Sequence, residues 1–227
     1  TSACRAIAPM VGASTAVVSF QNGVSAVEPL VQAYGPQRVL GGVANIAALI
    51  EAPGVIRHNG AMARLIFGEL DRSRSERCAR LAALCAQAGF DHVLSEDINR
   101  AIWEKFVFLA SFSGMTSLMR QPIGPIREDA ELRQMLRDAI SEVVAVGRAK
   151  GANLPADQIE KSLAWGDGLP ATMVASMLGD LRRGNRLELP WLSGTVVKLG
   201  AQFGVPTPTH RFITLALKPY IEPRSGS

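Results

Sequence analysis

The spacing of apolar residues changes from a strand-like to a helical pattern near residue 95. Before that point, short apolar and β-branched runs alternate with helical spacing and end at glycine, proline or asparagine, which is typical of an α/β sheet. The predicted strands are residues 15–20, 39–46, 54–60 and 63–67, and the predicted helices are residues 26–34 and 73–88. Because a turn joins the last two strands directly, we expect antiparallel pairing at that end of the sheet.

From residue 96 onwards the apolar spacing is helical, and glycines mark the expected helix ends. Helices are predicted over residues 96–119, 127–150, 155–163, 170–183, 190–203 and 208–220. A proline is expected in the first turn of each of the last three. The predicted fold class is α/β: residues 1–95 form part of a sheet domain, residues 96–222 form an all-α domain, and residues 223–227 form a frayed tail.

The longest predicted helix, residues 96–119, carries a single charge on one of its faces. Ser95 is expected to cap this helix, since a serine oxygen accepts hydrogen bonds from the N–H groups of a first turn. Lys105 is the only charged residue on its face, among apolar and hydroxyl side chains. Such a lysine either reaches solvent from the surface or lies in a partly dry cleft, where burial lowers its pKa toward the range used for proton transfer. Helix position by itself favours the surface alternative.

Three further polar residues stand where a small-molecule site is expected, and each has a structural alternative. Asn22 follows a predicted strand, at the sheet edge where α/β sheets bind ligands, although Asn-Gly is also a favourable tight turn. Glu188 precedes Pro190, and the dipole of a following helix would favour a carboxylate there without any ligand. Ser176 lies in a predicted helix, where a serine is more often bonded to its own backbone than to a ligand. The residues alone favour the structural alternative for each of the three.

Residues 166–171, GDGLPA, formally match the dinucleotide-binding pattern G-x-G-x-x-[GA]. In that pattern the glycines are useful because they follow a strand and open a helix. No strand is predicted before Gly166, and Pro170 is expected to begin a helix in an all-α region. We therefore reject this match.

Composition excludes several functional classes. The 227 residues are 48% hydrophobic and 19% charged, which is ordinary for a soluble globular protein. The longest apolar runs, 39–50 and 106–110, are too short to span a membrane and no signal pattern opens the chain, so a cytoplasmic location is predicted. The net charge of +4 is spread among acidic residues and only 6% of residues are aromatic, so no nucleic-acid partner is predicted. Isolated histidines and an odd cysteine count indicate buried thiols and no metal site.

Four segments, taken together and in this order, resemble the ketopantoate reductase (2-dehydropantoate 2-reductase) family. They are SFQNGV at 19–24; PGVIRH at 53–58 with FGE at 67–69; DINRAIWEK at 97–105; and ASMLGD at 175–180, running to RLE at 186–188 and GVPTP at 204–208. Because they extend over most of the chain, they are more specific than any single motif in it.

The resemblance implies a Rossmann NADP-binding domain, of which residues 1–95 form the C-terminal part. It also implies a helical substrate and dimerisation domain similar to the C-terminal domain of 6-phosphogluconate dehydrogenase. The implied reaction is the NADPH-dependent reduction of a 2-oxo acid to a 2-hydroxy acid, with ketopantoate converted to pantoate in pantothenate biosynthesis. A homodimer is implied as well, with no partner other than the small-molecule substrate and the cofactor.

By position, Lys105 matches the general acid of the family and Glu188 its substrate-orienting carboxylate. Asn22 matches an asparagine near the nicotinamide, and Ser176 matches a substrate-binding serine. These roles are chemically consistent, because a positioned ammonium stabilises the negative charge that develops on a carbonyl oxygen and supplies its proton. With this context, we favour Lys105 as catalytic over Lys105 as a surface residue.

Two positions on the helix face of Lys105 depart from the family pattern. Where the family usually carries asparagines one and two turns beyond the lysine, this chain has Leu109 and Ser113. A polar contact is lost at the first position and shortened at the second, and sites built to bond a hydroxyl discriminate strongly against substrates that lack it. A related, more apolar 2-oxo acid is therefore an alternative substrate.

The family's opening strand and its glycine-rich phosphate-binding turn have no counterpart in these residues. We expect the sequence to omit an N-terminal segment, because the first 70 residues resemble the second half of a Rossmann sheet and would leave an apolar sheet edge exposed. The chain as given is not expected to bind NADPH well. Two alternatives from other classes are a non-catalytic binding or dimerisation module and a hydroxy acid or polyol phosphate dehydrogenase of similar architecture.

Overall fold

The computed structural model describes residues 2–223, apart from the side chain of Ala61. Most of the predicted frayed tail, residues 224–227, lies outside the described residues. The chain divides into two compact units, one ending at Ile102 and the other beginning at Trp103. The first contains a mixed sheet and the second is helical, which confirms the predicted fold class. The roles predicted for the two domains stay predictions.

The first unit is built on a sheet with the strand order β1-β2-β3-β4. Its strands are β1 Val17–Ser19, β2 Val39–Ala52, β3 Val55–Glu69 and β4 Asp91–Leu94, and its own helices are α1 Ser2–Ile7, α2 Val27–Tyr34 and α3 Glu76–Gln87. β1 and β2 are parallel and α2 lies between them in sequence, whereas β2 and β3 are antiparallel and β3 and β4 are parallel. The predicted succession of strand, helix and strand is confirmed.

The antiparallel pair is formed by different residues from those predicted. β2 and β3 are joined by a turn at Pro53 and Gly54, and Gly54 has a φ of +79°. β3 then continues through Gly60, where φ is +73° and the pairing register with β2 shifts. The prediction of two separate strands, 54–60 and 63–67, is wrong because Asn-Gly provides the positive φ of a β-bulge as readily as that of a turn.

The helix α4, Ile98–Met119, begins against the sheet. A Cβ atom at Gly41 of β2 would lie 2.7 Å from the Ile98 side chain, so only glycine permits this approach. The prediction that Ser95 caps the helix is wrong. The Asp97 carboxylate accepts a hydrogen bond from the backbone N–H of Arg100 (3.0 Å), while the Ser95 hydroxyl accepts one from the N–H of Asp97 (3.2 Å). Ser95 still belongs to the sheet region, since its N–H donates to the carbonyl of Phe67 in β3 (2.8 Å).

The remainder of the second unit consists of helices joined by loops and 3₁₀ turns. The helices that follow α4 are α5 Ile123–Glu128, α6 Ala130–Ala149, α7 Gln158–Asp167, α8 Ser176–Arg183, α9 Ser193–Phe203 and α10 Pro208–Leu217. Pro208 opens its helix as predicted.

Several of the predicted helices have different bounds. The helix predicted at 190–203 begins only at Ser193, and Pro190 lies in the 3₁₀ turn Leu189–Trp191 before it. The single helix predicted at 127–150 is divided at Asp129, whose backbone is extended and whose carboxylate caps α6 by accepting from the N–H groups of Glu131 (3.0 Å) and Leu132 (2.9 Å). The helix predicted at 170–183 begins only at Ser176. Pro170 therefore lies in a loop, because proline suits a loop as well as a first turn.

A buried polar cluster links α6, α9 and α10 in the core of the second unit. The imidazole of His210 is 0% exposed, and its Nε2 lies 3.1 Å from the carbonyl of Ala139 while its Nδ1 lies 3.1 Å from the Ser193 hydroxyl. A carbonyl only accepts hydrogen bonds, so Nε2 carries the proton and Nδ1 accepts from Ser193. The Glu142 carboxylate accepts from the backbone N–H groups of Thr209 (2.7 Å) and His210 (2.9 Å) and so caps α10.

This cluster makes the stability of the protein depend on pH. Burial lowers the pKa of His210 from 6.5 to about 4. At a pH between the unfolded and the folded pKa, the unfolded chain binds a proton at residue 210 that the folded chain does not bind. The free energy of unfolding therefore decreases as the pH falls through the unfolded pKa toward the folded one, by about 3 kcal/mol in total. Urea unfolding measured from neutral pH down to about pH 4 is expected to show this loss.

A His210→Gln variant separates this effect from other titrations, because glutamine keeps a donor and an acceptor but does not titrate. The additional decrease in the free energy of unfolding below about pH 6.5 should disappear in this variant. It should persist in His58→Gln, which alters an exposed histidine. If His210→Gln does not fold, NMR titration of the wild-type imidazole gives the same information. An equal slope in both variants, or a His210 imidazole that protonates near pH 6.5, would contradict the prediction.

Candidate active site

Lys105 is held on α4 between residues that pack into the core. Trp103 and Phe106 beside it are 2% and 1% exposed, and Lys105 itself is half-buried. Because burial removes water from around the ammonium group, it lowers the pKa of Lys105 below the ordinary lysine value. The side chain is therefore partly desolvated, and its role in proton transfer stays a prediction.

Glu188 brings a negative charge close to this ammonium. It lies directly before the 3₁₀ turn Leu189–Trp191, and its backbone carbonyl accepts hydrogen bonds from the N–H groups of Trp191 (2.9 Å) and Leu192 (3.1 Å). The neighbouring Leu187 is 1% exposed and anchors the segment in the core. The Glu188 charge raises the pKa of Lys105, against the larger lowering caused by burial. The structure thus brings together two predicted site residues that are far apart in sequence.

Leu109 and Ser113 follow Lys105 along the same row of α4. Leu109 is half-buried, and Ser113 is 0% exposed. Among the described residues, the hydroxyl groups of Ser113 and of Ser117, one turn further along, have no hydrogen-bond partner, whereas the nearby Ser111 hydroxyl donates to a backbone carbonyl one turn back (3.0 Å). A buried hydroxyl without a partner costs roughly 1–3 kcal/mol. Ser117 was not among the predicted site residues. The signal that could have indicated it is its spacing of four residues from Ser113, which places both serines on one helix face.

Asn22 and Ser176 occupy the ends of regular elements in different units. Asn22 is half-buried beyond the end of β1, as predicted, in a bend where the N–H of Gln21 donates to the Ser19 hydroxyl (3.3 Å) and Gly23 has a φ of +95°. Ser176 is the exposed first residue of α8. The contacts predicted for them with the cofactor and the substrate stay predictions, as do those predicted for Glu188.

The carboxyl end of β1 is the part of this chain that fits a nicotinamide dinucleotide. β1 and β2 are parallel neighbours, and open α/β sheets bind such ligands beyond the carboxyl ends of parallel strands. Asn22, a residue with an amide side chain, lies at this edge. Residues 166–171 span the end of α7 and the loop after it, and the described second unit contains no strand, so the rejection of that glycine pattern is confirmed.

The structure of residues 2–223 does not support a metal site or a reactive thiol. In this part of the chain, no group of three or more histidine, cysteine, aspartate or glutamate side chains is arranged to hold a metal ion. The same residues include no helix with the length and hydrophobicity needed to cross a membrane. Cys4, Cys78 and Cys85 are buried and not in disulfides, which confirms the predicted buried thiols. Burial raises the pKa of Cys78, so this thiol is a poor nucleophile at neutral pH.

Comparison with known families covers both units of the chain. The family model described as "Ketopantoate reductase PanE/ApbA C terminal" matches residues 97–221, and the one described as "Ketopantoate reductase PanE/ApbA" matches residues 1–72. The chain belongs to the ketopantoate reductase family. The resemblance carried by the four sequence segments is thereby confirmed.

Individual relatives of this chain are similar to it over most of its length. A 2-dehydropantoate 2-reductase of Mesorhizobium japonicum is 34% identical over 229 residues, covering 92% of this chain and 69% of that protein. YkpB of Bacillus subtilis, named an uncharacterized oxidoreductase, is 28% identical over 216 residues, covering 94% of this chain and 71% of that protein. The crystal structure of 2-dehydropantoate 2-reductase from Geobacter metallireducens GS-15 matches with a TM-score of 0.85 and 31% identity, over 94% of this chain and 71% of that one. Membership of this family of reductases makes the protein an oxidoreductase.

Proposed function

We propose that this protein reduces a 2-oxo acid to the corresponding 2-hydroxy acid, with NADPH as the hydride donor. The observation that carries the proposal is the half-buried Lys105 beside Glu188: burial lowers the pKa of the ammonium, and the carboxylate charge opposes that shift. A cation in this setting suits proton transfer to an oxygen on which negative charge develops.

The reduction needs a hydride at the carbonyl carbon of the substrate and a proton at its carbonyl oxygen. Bound NADPH would supply the hydride and become NADP⁺. Lys105 donates a hydrogen bond from Nζ to the carbonyl oxygen, stabilises the charge that forms there and gives its proton to make the hydroxyl group. The neutral amine then takes a proton from water. Its lowered pKa makes this transfer less unfavourable than from a fully solvated lysine.

The other predicted site residues bind and orient in this proposal. Glu188 accepts a hydrogen bond from a substrate hydroxyl and keeps Lys105 charged in its partly dry setting. Ser176, exposed at the start of α8, bonds the substrate. Asn22, at the carboxyl end of β1, bonds the nicotinamide end of the cofactor.

Ketopantoate is the first candidate substrate, because two of the relatives described above, those of Mesorhizobium japonicum and Geobacter metallireducens, are named 2-dehydropantoate 2-reductase. Leu109 supports the alternative of a more apolar branched 2-oxo acid. Its half-buried side chain offers no hydrogen bond, and Ser113 beyond it is fully buried. A substrate hydroxyl placed against Leu109 would lose its hydration without gaining a partner, at a cost of roughly 1–3 kcal/mol.

The test is NADPH oxidation by the complete product of the gene, with a panel of 2-oxo acids that includes ketopantoate, 2-oxoisovalerate and 2-oxoisocaproate. NADH is tested in parallel, because the cofactor preference is part of the proposal. Turnover of any of these acids supports the reductase function, and the preferred acid identifies the substrate. If no acid is reduced with either cofactor, the proposed function is wrong and a non-catalytic role is favoured.

Leu109→Asn is expected to change the substrate preference. An amide at this position can bond the hydroxyl of ketopantoate, so the ratio of kcat/KM for ketopantoate to that for 2-oxoisovalerate should rise by about tenfold or more. Leu109→Met, which changes shape but adds no hydrogen-bond donor, is the matched control and should leave the ratio nearly unchanged. Equal ratios in the wild type and both variants would show that Leu109 does not face the substrate.

A further inference from the structure

The loop between α7 and α8, residues 168–175, has no regular secondary structure and is held by the short helix α5. The N–H of Gly124 donates to the carbonyl of Ala171 (2.9 Å), and the N–H of Ile123 donates to the carbonyl of Met173 (3.0 Å). A Cβ atom at Gly124 would lie 2.9 Å from both the carbonyl oxygen and the Cβ of Ala171, so α5 and the loop are in direct backbone contact. This contact fixes the middle of the loop.

Arg127, at the other end of α5, fixes the beginning of the same loop. Its Nη1 donates to the carbonyl oxygens of Gly166 (3.2 Å), Asp167 (2.8 Å) and Leu169 (2.8 Å). The carbonyls of Gly166 and Asp167 lie at the C-terminal end of α7, where a helix leaves its last acceptors without partners of its own, and that of Leu169 lies in the loop. Arg133 of α6 strengthens this end by binding both oxygens of the Asp167 carboxylate (2.6 and 2.8 Å).

The loop leads directly into the predicted substrate-binding residue. Ala175, its last residue, is 5% exposed and packs into the core, and the exposed Ser176 follows as the first residue of α8. The loop has no helix or strand of its own, so its backbone contacts with α5 contribute to the position of Ser176, together with the packing of Met177 and Leu178 in α8, which are both 0% exposed.

We propose that Arg127 is a positioning residue for substrate binding, acting through the loop 168–175 and Ser176. This proposal rests on the proposed function, in which Ser176 bonds the 2-oxo acid. Arg127 itself does not touch the substrate. A single nitrogen of its guanidinium, Nη1, holds the three carbonyls in one place, with its two N–H groups shared among the three acceptors.

The experiment is a double-mutant cycle in the complete gene product, with KM for the 2-oxo acid, KM for NADPH and kcat measured separately. Arg127→Ala is expected to raise KM for the acid by about tenfold, with kcat and KM for NADPH within about threefold of wild type. In a Ser176→Ala background, the same change should raise KM for the acid by less than about twofold, because residues that act through one contact are not additive. Arg127→Lys should recover part of the loss.

Arg137→Ala is the matched control, since it removes an exposed arginine that pairs with Glu160 (2.8 and 3.0 Å) and leaves the loop untouched. Its KM values should equal those of the wild type. Hydrogen exchange of the amides in 168–175 gives a readout that does not depend on activity, and it should accelerate in Arg127→Ala but not in Arg137→Ala.

Two results would overturn the proposal while leaving the proposed function intact: an unchanged KM for the acid in Arg127→Ala, or an equal effect of Arg127→Ala with and without Ser176. If the wild type reduces no 2-oxo acid, the proposed function fails and the positioning role fails with it. In that case the exchange data still decide whether Arg127 holds the loop.

Discussion

Replacing Lys105 with methionine is expected to lower kcat for 2-oxo acid reduction by at least about a hundredfold, the usual scale for loss of a general acid. Methionine keeps most of the length of the side chain, so the half-buried space on α4 stays filled. The carbonyl oxygen then loses both the charge that stabilises it and the nearby proton. Lys105→Ala should show the same loss together with a lower thermal stability, because it also removes packing atoms.

Lys105→Arg separates charge from proton transfer. Arginine keeps the positive charge but is effectively always protonated, so it cannot serve as the acid. It should therefore be almost as inactive as Lys105→Met. Lys161→Ala is the surface control, since Lys161 forms an exposed pair with Asp157 (3.0 Å) and should keep turnover within about twofold of wild type. Turnover near that of the wild type in Lys105→Met would remove Lys105 from the mechanism.

Glu188→Gln is expected to lower kcat/KM for the 2-oxo acid by between about tenfold and a hundredfold, the range for losing one hydrogen bond to a charged group. The amide keeps the shape of the side chain but not its charge. Since the Glu188 charge raises the pKa of Lys105, its removal lets burial lower that pKa further. An acid must be protonated to act, so activity is lost as the pH rises through its pKa. The alkaline limb of the kcat/KM profile should therefore move to lower pH in the variant.

This shift of the pH profile distinguishes electrostatic support of Lys105 from simple loss of substrate binding. A binding contact alone would lower kcat/KM equally at every pH. Glu160→Gln provides the comparison, because it removes a carboxylate from an exposed pair with Arg137 and should leave both the rate and the profile unchanged. An alkaline limb at the same pH in wild type and Glu188→Gln would contradict the assignment of Glu188 as the carboxylate that keeps Lys105 charged.

The elements predicted correctly from sequence are those whose apolar pattern is long and ends at an unambiguous residue. α3 and α10 are examples, closed by Gly89 and opened by Pro208 respectively. The errors fall where one residue type serves two geometries. A turn was predicted between residues 60 and 63, where β3 instead continues through a bulge, and Ser95 suited a helix cap but lies two residues before Asp97, which caps the helix instead. Tertiary contacts make those choices, and local sequence does not record them.

Sequence alone indicated some residues of the candidate site and missed others, again because local sequence does not record tertiary contacts. Lys105 is visible in the sequence because it is a lone charge on an apolar helix face. Glu188 became a candidate for the same site only through the family resemblance, since no local pattern links residues so far apart. Ser117 and Arg127 were missed altogether. Neither residue stands out in the sequence, because each is notable only for its surroundings in the fold. The Ser117 hydroxyl is buried without a hydrogen-bond partner, and Arg127 binds carbonyls at the end of another helix.

The cluster around His210 also restricts how this sequence can diverge. Its hydrogen bonds join the imidazole to Ser193 and to the backbone of α6, and Glu142 caps the helix that carries the imidazole. A single replacement at any of these positions leaves a buried polar group on a neighbouring helix without its partner. Since the imidazole of His210 and the hydroxyl of Ser193 are each other's partners, these two positions should be inherited or replaced together. Glu142 bonds backbone N–H groups, which remain whatever side chain stands at 210, so its replacement is restricted independently of theirs. Exposed pairs such as Arg137 and Glu160 have no such restriction, so either residue can be substituted without the other.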